Sequence, residues 1–374
     1  PDRLRRFIFP LEKHFVDREI VHWGALHGIV EMIEGGVTTF ADMYYFEEEV
    51  ARAARLAGMR GVLGQTIVNF PAPDAPEPYG GIARARRFIA DHRGDPLITP
   101  AFAPHAPYTV EPDRLREIAR LAEELDVPVL MHLAEMTDEI ANLRRDHNRT
   151  PVQHLESVGL LNRRLVAAHC IFVDDADIEL LRASGAGVAH ALVANIKSAK
   201  GVAPVTKMLA AGVRVGLATD GPMSGNTLDI IGQLGYVAKV HKLDRRDRNV
   251  MPAVDVVEMA TRGGARAPRP DGRRIAGALT EKLRRRSGPA RGLTTDWRRE
   301  QPTAANPDPE GGPALRRIPA PACRARVPAR ANHGRQFRRR GPRVARPGRL
   351  RPLAHRLGRT HRRGRARAGR AVQA

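Results

Sequence analysis

Hydrophobic and polar positions follow two alternating periods along the first 266 residues. Short runs rich in β-branched and apolar side chains predict seven strands, over 37–42, 59–68, 97–103, 127–135, 165–169, 187–190 and 213–220. Between them the spacing becomes helical. Residues 19–35 place Leu26, Ile29, Val30 and Ile33 on one face before Gly35-Gly36 stops the helix. Residues 47–57 do the same with Val50, Ala53, Ala54 and Ala57 before Gly58. Further helices are expected over 82–93, 112–125, 137–145, 151–158, 174–183, 205–211, 226–243 and 253–261. Asp174 is a candidate cap for the helix it precedes. Residues 70–78 form a proline-rich loop, and 1–18 carry no clear pattern.

Strand alternating with helix argues for a parallel sheet. Seven such strands fit an α/β fold, a (β/α)8 barrel of the TIM type short of one strand. An open doubly wound sheet is the alternative. Neither a Gly-x-Gly-x-x-Gly after the first strand nor a P-loop is present, which weakens it.

The strand ends concentrate the polar chemistry. The run Val127-Pro-Val-Leu-Met-His-Leu-Ala-Glu135 delivers His132 and then Glu135. His105 lies just past the third strand, His169 ends the fifth and Asp220 ends the seventh. All strand C-termini of a barrel converge on one face, so residues distant in sequence can share a site. His132 and Asp220 are candidate metal ligands, since zinc takes imidazole nitrogen and carboxylate oxygen. Glu135 is placed to move a proton to a substrate, and His169 to orient or deprotonate a water. Taken singly, each has a plainer explanation: a hydrogen-bonded histidine, an Asp-Gly turn, a helix-terminal acid. Their recurrence at successive strand ends favours chemistry. His190 is read as structural, and His14, His22, His27 and His147 as surface or packing residues. Strand alternation turns Cys170 away from the site.

Charge divides the chain. From Pro268 onward there are 30 Lys plus Arg and 6 Asp plus Glu, leaving 32 bases and 35 acids before it. The net charge of +21 therefore belongs to the tail. Runs such as Arg284-Arg-Arg286, a single lysine (Lys282) and only Trp297 and Phe337 as aromatics mark that segment. Its low hydrophobicity predicts disorder. Two distant cysteines exclude a disulfide framework and point to a reducing cytoplasm. No apolar run is long enough to span a membrane.

Seven stretches carry a family resemblance: Gly36-Val-Thr-Thr-Phe-Ala-Asp-Met43, Ala103-Pro-His-Ala-Pro-Tyr108, His132-Leu-Ala-Glu135, Ala168-His-Cys170, Asn195-Ile-Lys197, Gly201-Val-Ala-Pro204 and Ala218-Thr-Asp-Gly221. In this order they resemble the metal-dependent amidohydrolase superfamily, most closely the branch of S-adenosylhomocysteine/5'-methylthioadenosine deaminases and triazine chlorohydrolases. The resemblance runs from about Ile8 to Arg266. It implies one divalent metal, Zn2+ or alternatively Fe2+, on His132 and Asp220. It implies proton transfer and substrate contact by Glu135, assistance to the water by His169, and substrate contact by His105. The implied reaction is hydrolytic deamination of an adenine-type nucleoside, with a cyclic amidine such as a triazine as the alternative substrate. A homodimer is likewise implied.

The sequence departs from that pattern at both ends. The His-x-His of the family's first strand, which supplies two further metal ligands, does not occur. Beyond Arg266 the small β-sandwich expected of the family is replaced by the Arg-, Pro- and Gly-rich tail. The domain reading is thus an incomplete barrel over 1–266 and a disordered tail over 267–374, translated out of frame, on a chain truncated at its start. Two non-enzymatic readings compete: polyanion binding through the tail, non-specific and steeply salt-dependent, and a barrel too incomplete to fold. Sequencing the neighbouring DNA tests the frameshift. An alternative frame near Ala267 is expected to encode β-sandwich sequence, and its absence would refute the frameshift.

Overall fold

A computed structural model describes residues 4–265; the expectations for the tail lie outside the described residues. A π-helical turn, Leu4–Ile8, leads into α1 (Phe9–Phe15) and α2 (Arg18–Glu34). There follow β1 (Thr39–Tyr44), α3 (Glu47–Ala57), β2 (Arg60–Ile67), α4 (Gly81–Asp91), β3 (Ile98–Pro104), α5 (Pro112–Glu124) and β4 (Val129–Leu133). The second half holds α6 (Thr137–His147), α7 (Pro151–Ser157), β5 (Leu165–His169), α8 (Asp175–Ser184), β6 (Gly187–His190), α9 (Leu192–Lys197) and α10 (Val205–Ala211). It ends with β7 (Arg214–Leu217), α11 (Pro222–Gly225), α12 (Ile230–Arg245), α13 (Ala253–Glu258) and a second π-helical turn, Met259–Gly263.

The seven strands form one sheet in chain order, every neighbouring pair parallel. This is the barrel that strand-helix alternation predicted, short of one strand: among the described residues β1 pairs only with β2, and β7 only with β6. Alternation along each strand sorts the side chains into two layers. Val129, Met131 and Leu133 of β4 point outward into the large core shared with Leu115, Ile118, Leu155 and Leu165. Leu130 points inward to Val62, Ala101 and Ala103. Cys170 is buried in the outer core, away from the site, as alternation required.

Local signals place the helices. Asp174 caps α8 by accepting from Asp177 N, and Thr150 caps α7 in the same way from Gln153 N. Gly216 permits a close helix-sheet approach: a Cβ there would lie 2.8 Å from Gly264 Cα. Three segments were not assigned from the pattern. α1 and its leading turn bury too little to show a periodic stripe. α9 and α11 are only 6 and 4 residues long, below the length at which periodicity can be read. α12 begins at Ile230 rather than Asn226, because Asp229 is its cap. No helix among the described residues is long and apolar enough to cross a membrane.

The outer core predicts a stability contrast. Met131→Ala, at a position with 0% exposure, should cost about 2–5 kcal/mol in urea denaturation. Leu56→Ala, at 74% exposure, should stay within about 0.5 kcal/mol. Equal effects would mean that the two-layer packing is wrong.

Candidate active site

His132, on β4, is aligned by the parallel register that sets it beside Ala168 of β5. Its Nδ1–H donates to the carbonyl of His105 at 2.9 Å, leaving Nε2 with a free lone pair. His105 continues β3 by donating its backbone N–H to Ile67 O. Its ring Nδ1–H donates to Thr109 Oγ1 at 3.0 Å, while that hydroxyl donates to Ala106 O. His169 repeats the arrangement, with Nδ1–H donating to Asn195 Oδ1 at 2.8 Å. Three imidazoles thus have the same tautomer imposed by their neighbours, and each keeps Nε2 as an acceptor. The His132 and His169 rings stack with centroids 5.3 Å apart, and His105 lies 4.8 Å from His132.

Glu135 closes the group. Its Oε1 lies 3.5 Å from His169 Nε2 and is also bound by the ammonium of Lys200. Burial alone would raise its pKa. The charges of His169, His132 and Lys200 outweigh that and bring it down to about 2. Burial pushes His169 itself below its ordinary value and His105 down to about 3, so both are neutral at pH 7.

The backbone at these positions is unusual. Ala134, His169, Cys170 and Asp220 all have φ between +47° and +72°, a conformation costing non-glycine residues roughly 1–2 kcal/mol each. Glu139 holds the first of these turns. Its carboxylate accepts from Ala134 N at 2.9 Å and Glu135 N at 3.0 Å. Asp220 accepts from Gly221 N at 2.6 Å through Oδ1. His105, His132, Glu135, His169, Lys200 and Asp220 all line one cavity of about 1320 Å3. The five residues expected from sequence thus all line this cavity. His190 turns away and pairs with His241, Nε2 to Nε2 at 3.0 Å, in keeping with a structural role.

Three residues that complete the site carried no assigned role in sequence. Asn195 lies in one of the recognised stretches, but nothing in it indicates that its amide faces His169. Lys200 is next to another such stretch and could be read only as a solvated base. Glu139 looks like an ordinary first-turn acid of α6. The donor chemistry of His132 and Asp220 suits a divalent cation. The number falls short, because no three His, Cys, Asp or Glu side chains among the described residues come together as a group able to hold one.

In a parallel barrel, imidazoles and carboxylates at the strand C-termini place the chemistry at the mouth of the barrel. The chain belongs to the amidohydrolase family, whose model matches residues 2–269. It is 45% identical over 278 residues to 5-methylthioadenosine/S-adenosylhomocysteine deaminase 1 of Syntrophus aciditrophicus (strain SB), covering 74% of this chain and 62% of that one. It is also 45% identical over 268 residues to the 5-methylthioadenosine/S-adenosylhomocysteine deaminase of Syntrophobacter fumaroxidans (strain DSM 10017 / MPOB), covering 71% and 60%. The chain therefore spans about three-fifths of the length of these relatives. Among solved structures, an adenosine deaminase from Xanthomonas campestris with bound zinc superposes with a TM-score of 0.71 at 33% identity, covering 74% of this chain and 63% of that one. A zinc complex of atrazine chlorohydrolase from Arthrobacter aurescens TC1 shares the fold, with a TM-score of 0.63 at 24% identity and coverage of 69% and 63%.

Glu139 gives a pH test. Burial, opposed by the two backbone N–H groups, raises its pKa from 4.5 to about 7. A carboxyl raised on folding binds its proton more tightly in the native state. Its contribution is therefore complete below pH 4.5 and lost as pH rises towards 7. Urea titrations of the wild type should lose this contribution across that window, and Glu139→Gln should remove that part of the slope. An unchanged slope in the variant would show that Glu139 is ionised throughout.

Proposed function

We propose that the protein to which this chain belongs catalyses hydrolytic deamination of an adenine-type nucleoside: S-adenosylhomocysteine, 5'-methylthioadenosine or an adenosine-like compound. The observation that carries this reading is the buried Glu135 carboxylate, 3.5 Å from His169 Nε2 on the cavity wall. The relatives named for this activity support it.

The chemistry adds water to the ring carbon that bears the amine and expels ammonia. His169, with Nδ1–H held by Asn195, offers Nε2 to take the proton of the attacking water. Glu135, within reach of His169, passes that first water proton to the ring nitrogen, and the water's second proton, from the hydroxyl now on the ring carbon, goes to the departing amine. Glu135 is ionised at rest and so receives its proton by way of His169 rather than bringing its own. His105, neutral and fixed by Thr109, contacts the ring through Nε2. Burial of these groups keeps bulk water from competing for the proton.

His132 and Asp220 are the donors this chain offers to a divalent cation, with zinc the natural match for one imidazole and one carboxylate. Two donors do not make a catalytic centre, so the described residues leave that group incomplete. A soluble nucleoside substrate fits a cytoplasmic location. A triazine is the second reading, but the solved triazine enzyme is similar only at the level of the fold.

Calorimetry tests the substrate class. 5'-Methylthioadenosine should bind the chain more tightly than atrazine, and Glu135→Gln should weaken the nucleoside by about tenfold or more. Stronger binding of atrazine would contradict the proposal. Zinc should bind the chain weakly in the same instrument, because two donors are too few; tight stoichiometric zinc would show that the donor set is complete after all.

A further inference from the structure

Among the described residues Lys200 is the Lys or Arg in contact with the acid-base pair, and its position is built rather than incidental. It follows α9 in a loop with Ala199 at φ +51° and Gly201 at φ +127°. Its backbone N–H donates to Asn195 O at 2.9 Å. The residue whose amide orients His169 is therefore tied to the residue whose ammonium meets Glu135. At Gly201 a Cβ would approach Ile171 Cγ2 to 3.1 Å, so the loop is packed closely against the end of β5. Lys197, one turn earlier, is committed elsewhere, to Asn226 Oδ1 and Met223 O. Lys200 keeps a quarter of its side chain exposed and lines the cavity with Glu135.

An ammonium has three donors and no acceptor. One goes to Glu135 Oε1, and among the described residues no other acceptor is recorded for it, so two donors can meet a ligand in the cavity. Glu135 and Lys200 together thus present an acceptor beside a donor. The edge of an amino-substituted nitrogen heterocycle is the complement: its amine donates and the neighbouring ring nitrogen accepts. The hydrolysed product has the opposite pattern at that edge, because its oxo group accepts and its ring N–H donates. A pair of fixed polarity therefore separates the two rings, and a polar mismatch in a buried site costs more than a lost contact.

We infer that Lys200 is a specificity-determining residue: with Glu135 it reads the amine-bearing edge of the ring, donating to a ring nitrogen and favouring amino over oxo heterocycles. This rests on the nucleoside reading of the cavity and adds a residue and a discrimination to it.

The test is binding to metal-free protein, so that turnover does not interfere. Adenosine and inosine are titrated into the wild type, Lys200→Met and Lys200→Arg, with thermal melts to establish that each is folded. The wild type should prefer adenosine by about tenfold or more. Lys200→Met should weaken adenosine by about ten- to a hundredfold and leave inosine nearly unchanged, removing the preference. Lys200→Arg, which keeps a charged donor, should retain it. A folded Lys200→Met that keeps the wild-type preference overturns the inference while leaving the nucleoside reading intact. Failure of the wild type to bind either nucleoside overturns both. A third titration locates the contact: against the wild type, 1-deazaadenosine should lose affinity and that loss should vanish in Lys200→Met, while 7-deazaadenosine, which lacks a nitrogen that accepts in both rings, should show no such Lys200-dependent loss. If 1-deazaadenosine keeps its affinity, Lys200 does not meet the nitrogen that distinguishes the two rings and the inference fails.

Discussion

The site depends on a turn that its own backbone disfavours. β4 must end so that Glu135 swings back over the strand end occupied by His132. It does so by placing Ala134 in the left-handed region at φ +51°. Glu139 makes this tolerable by accepting both backbone N–H groups of the turn, while Ala134 O accepts from Ile171 N and Phe172 N across the neighbouring strand end. One carboxylate from α6 and two amides from the β5 loop thus hold a single peptide in place. Without that clamp, Glu135 would have no fixed relation to His169. The same strain recurs at His169, Cys170 and Asp220, where the other strands deliver their polar ends. Strain of this kind persists only where surrounding contacts enforce it, and such positions gather at functional sites.

Much of this was legible in the chain. Buried parallel strands read as short apolar runs, and seven of them were placed by that signal alone. Their polar terminal residues, His105, His132, Glu135, His169 and Asp220, stood out because they recur together at the ends of apolar strands. What could not be read is what lies across the site. Asn195, Glu139 and Lys200 act through side chains that reach neighbouring elements, and nothing in local spacing encodes that reach. The short helices α9 and α11 were missed because one or two turns cannot show a period. Lys200 was the most concealed, since a lysine beside a glycine-rich stretch reads as a solvated loop residue.

The barrel and the chemistry fall short in a related way. The sheet runs from β1 to β7 with two unpaired edges among the described residues, and the cavity lies behind them. The walls are nonetheless held together: Glu31 on α2 accepts from Thr227 Oγ1 at 2.6 Å and Leu228 N at 2.8 Å. An eight-stranded barrel has no edge, so a strand pairing with β1 and β7 would also close a wall of the cavity. Among the described residues Glu135, His169, Asn195 and Lys200 form one connected group, whereas no three His, Cys, Asp or Glu side chains come together to hold a metal ion.

The most direct measurement is a crystal structure of the chain soaked with 5'-methylthioadenosine. The account predicts the purine in the cavity behind β4 and β5, with the amine-bearing edge hydrogen-bonded to the Glu135 carboxylate and the His169 side adjoining the ring carbon. A purine bound outside that cavity, or one turned so that its amine edge faces away from Glu135, would contradict it.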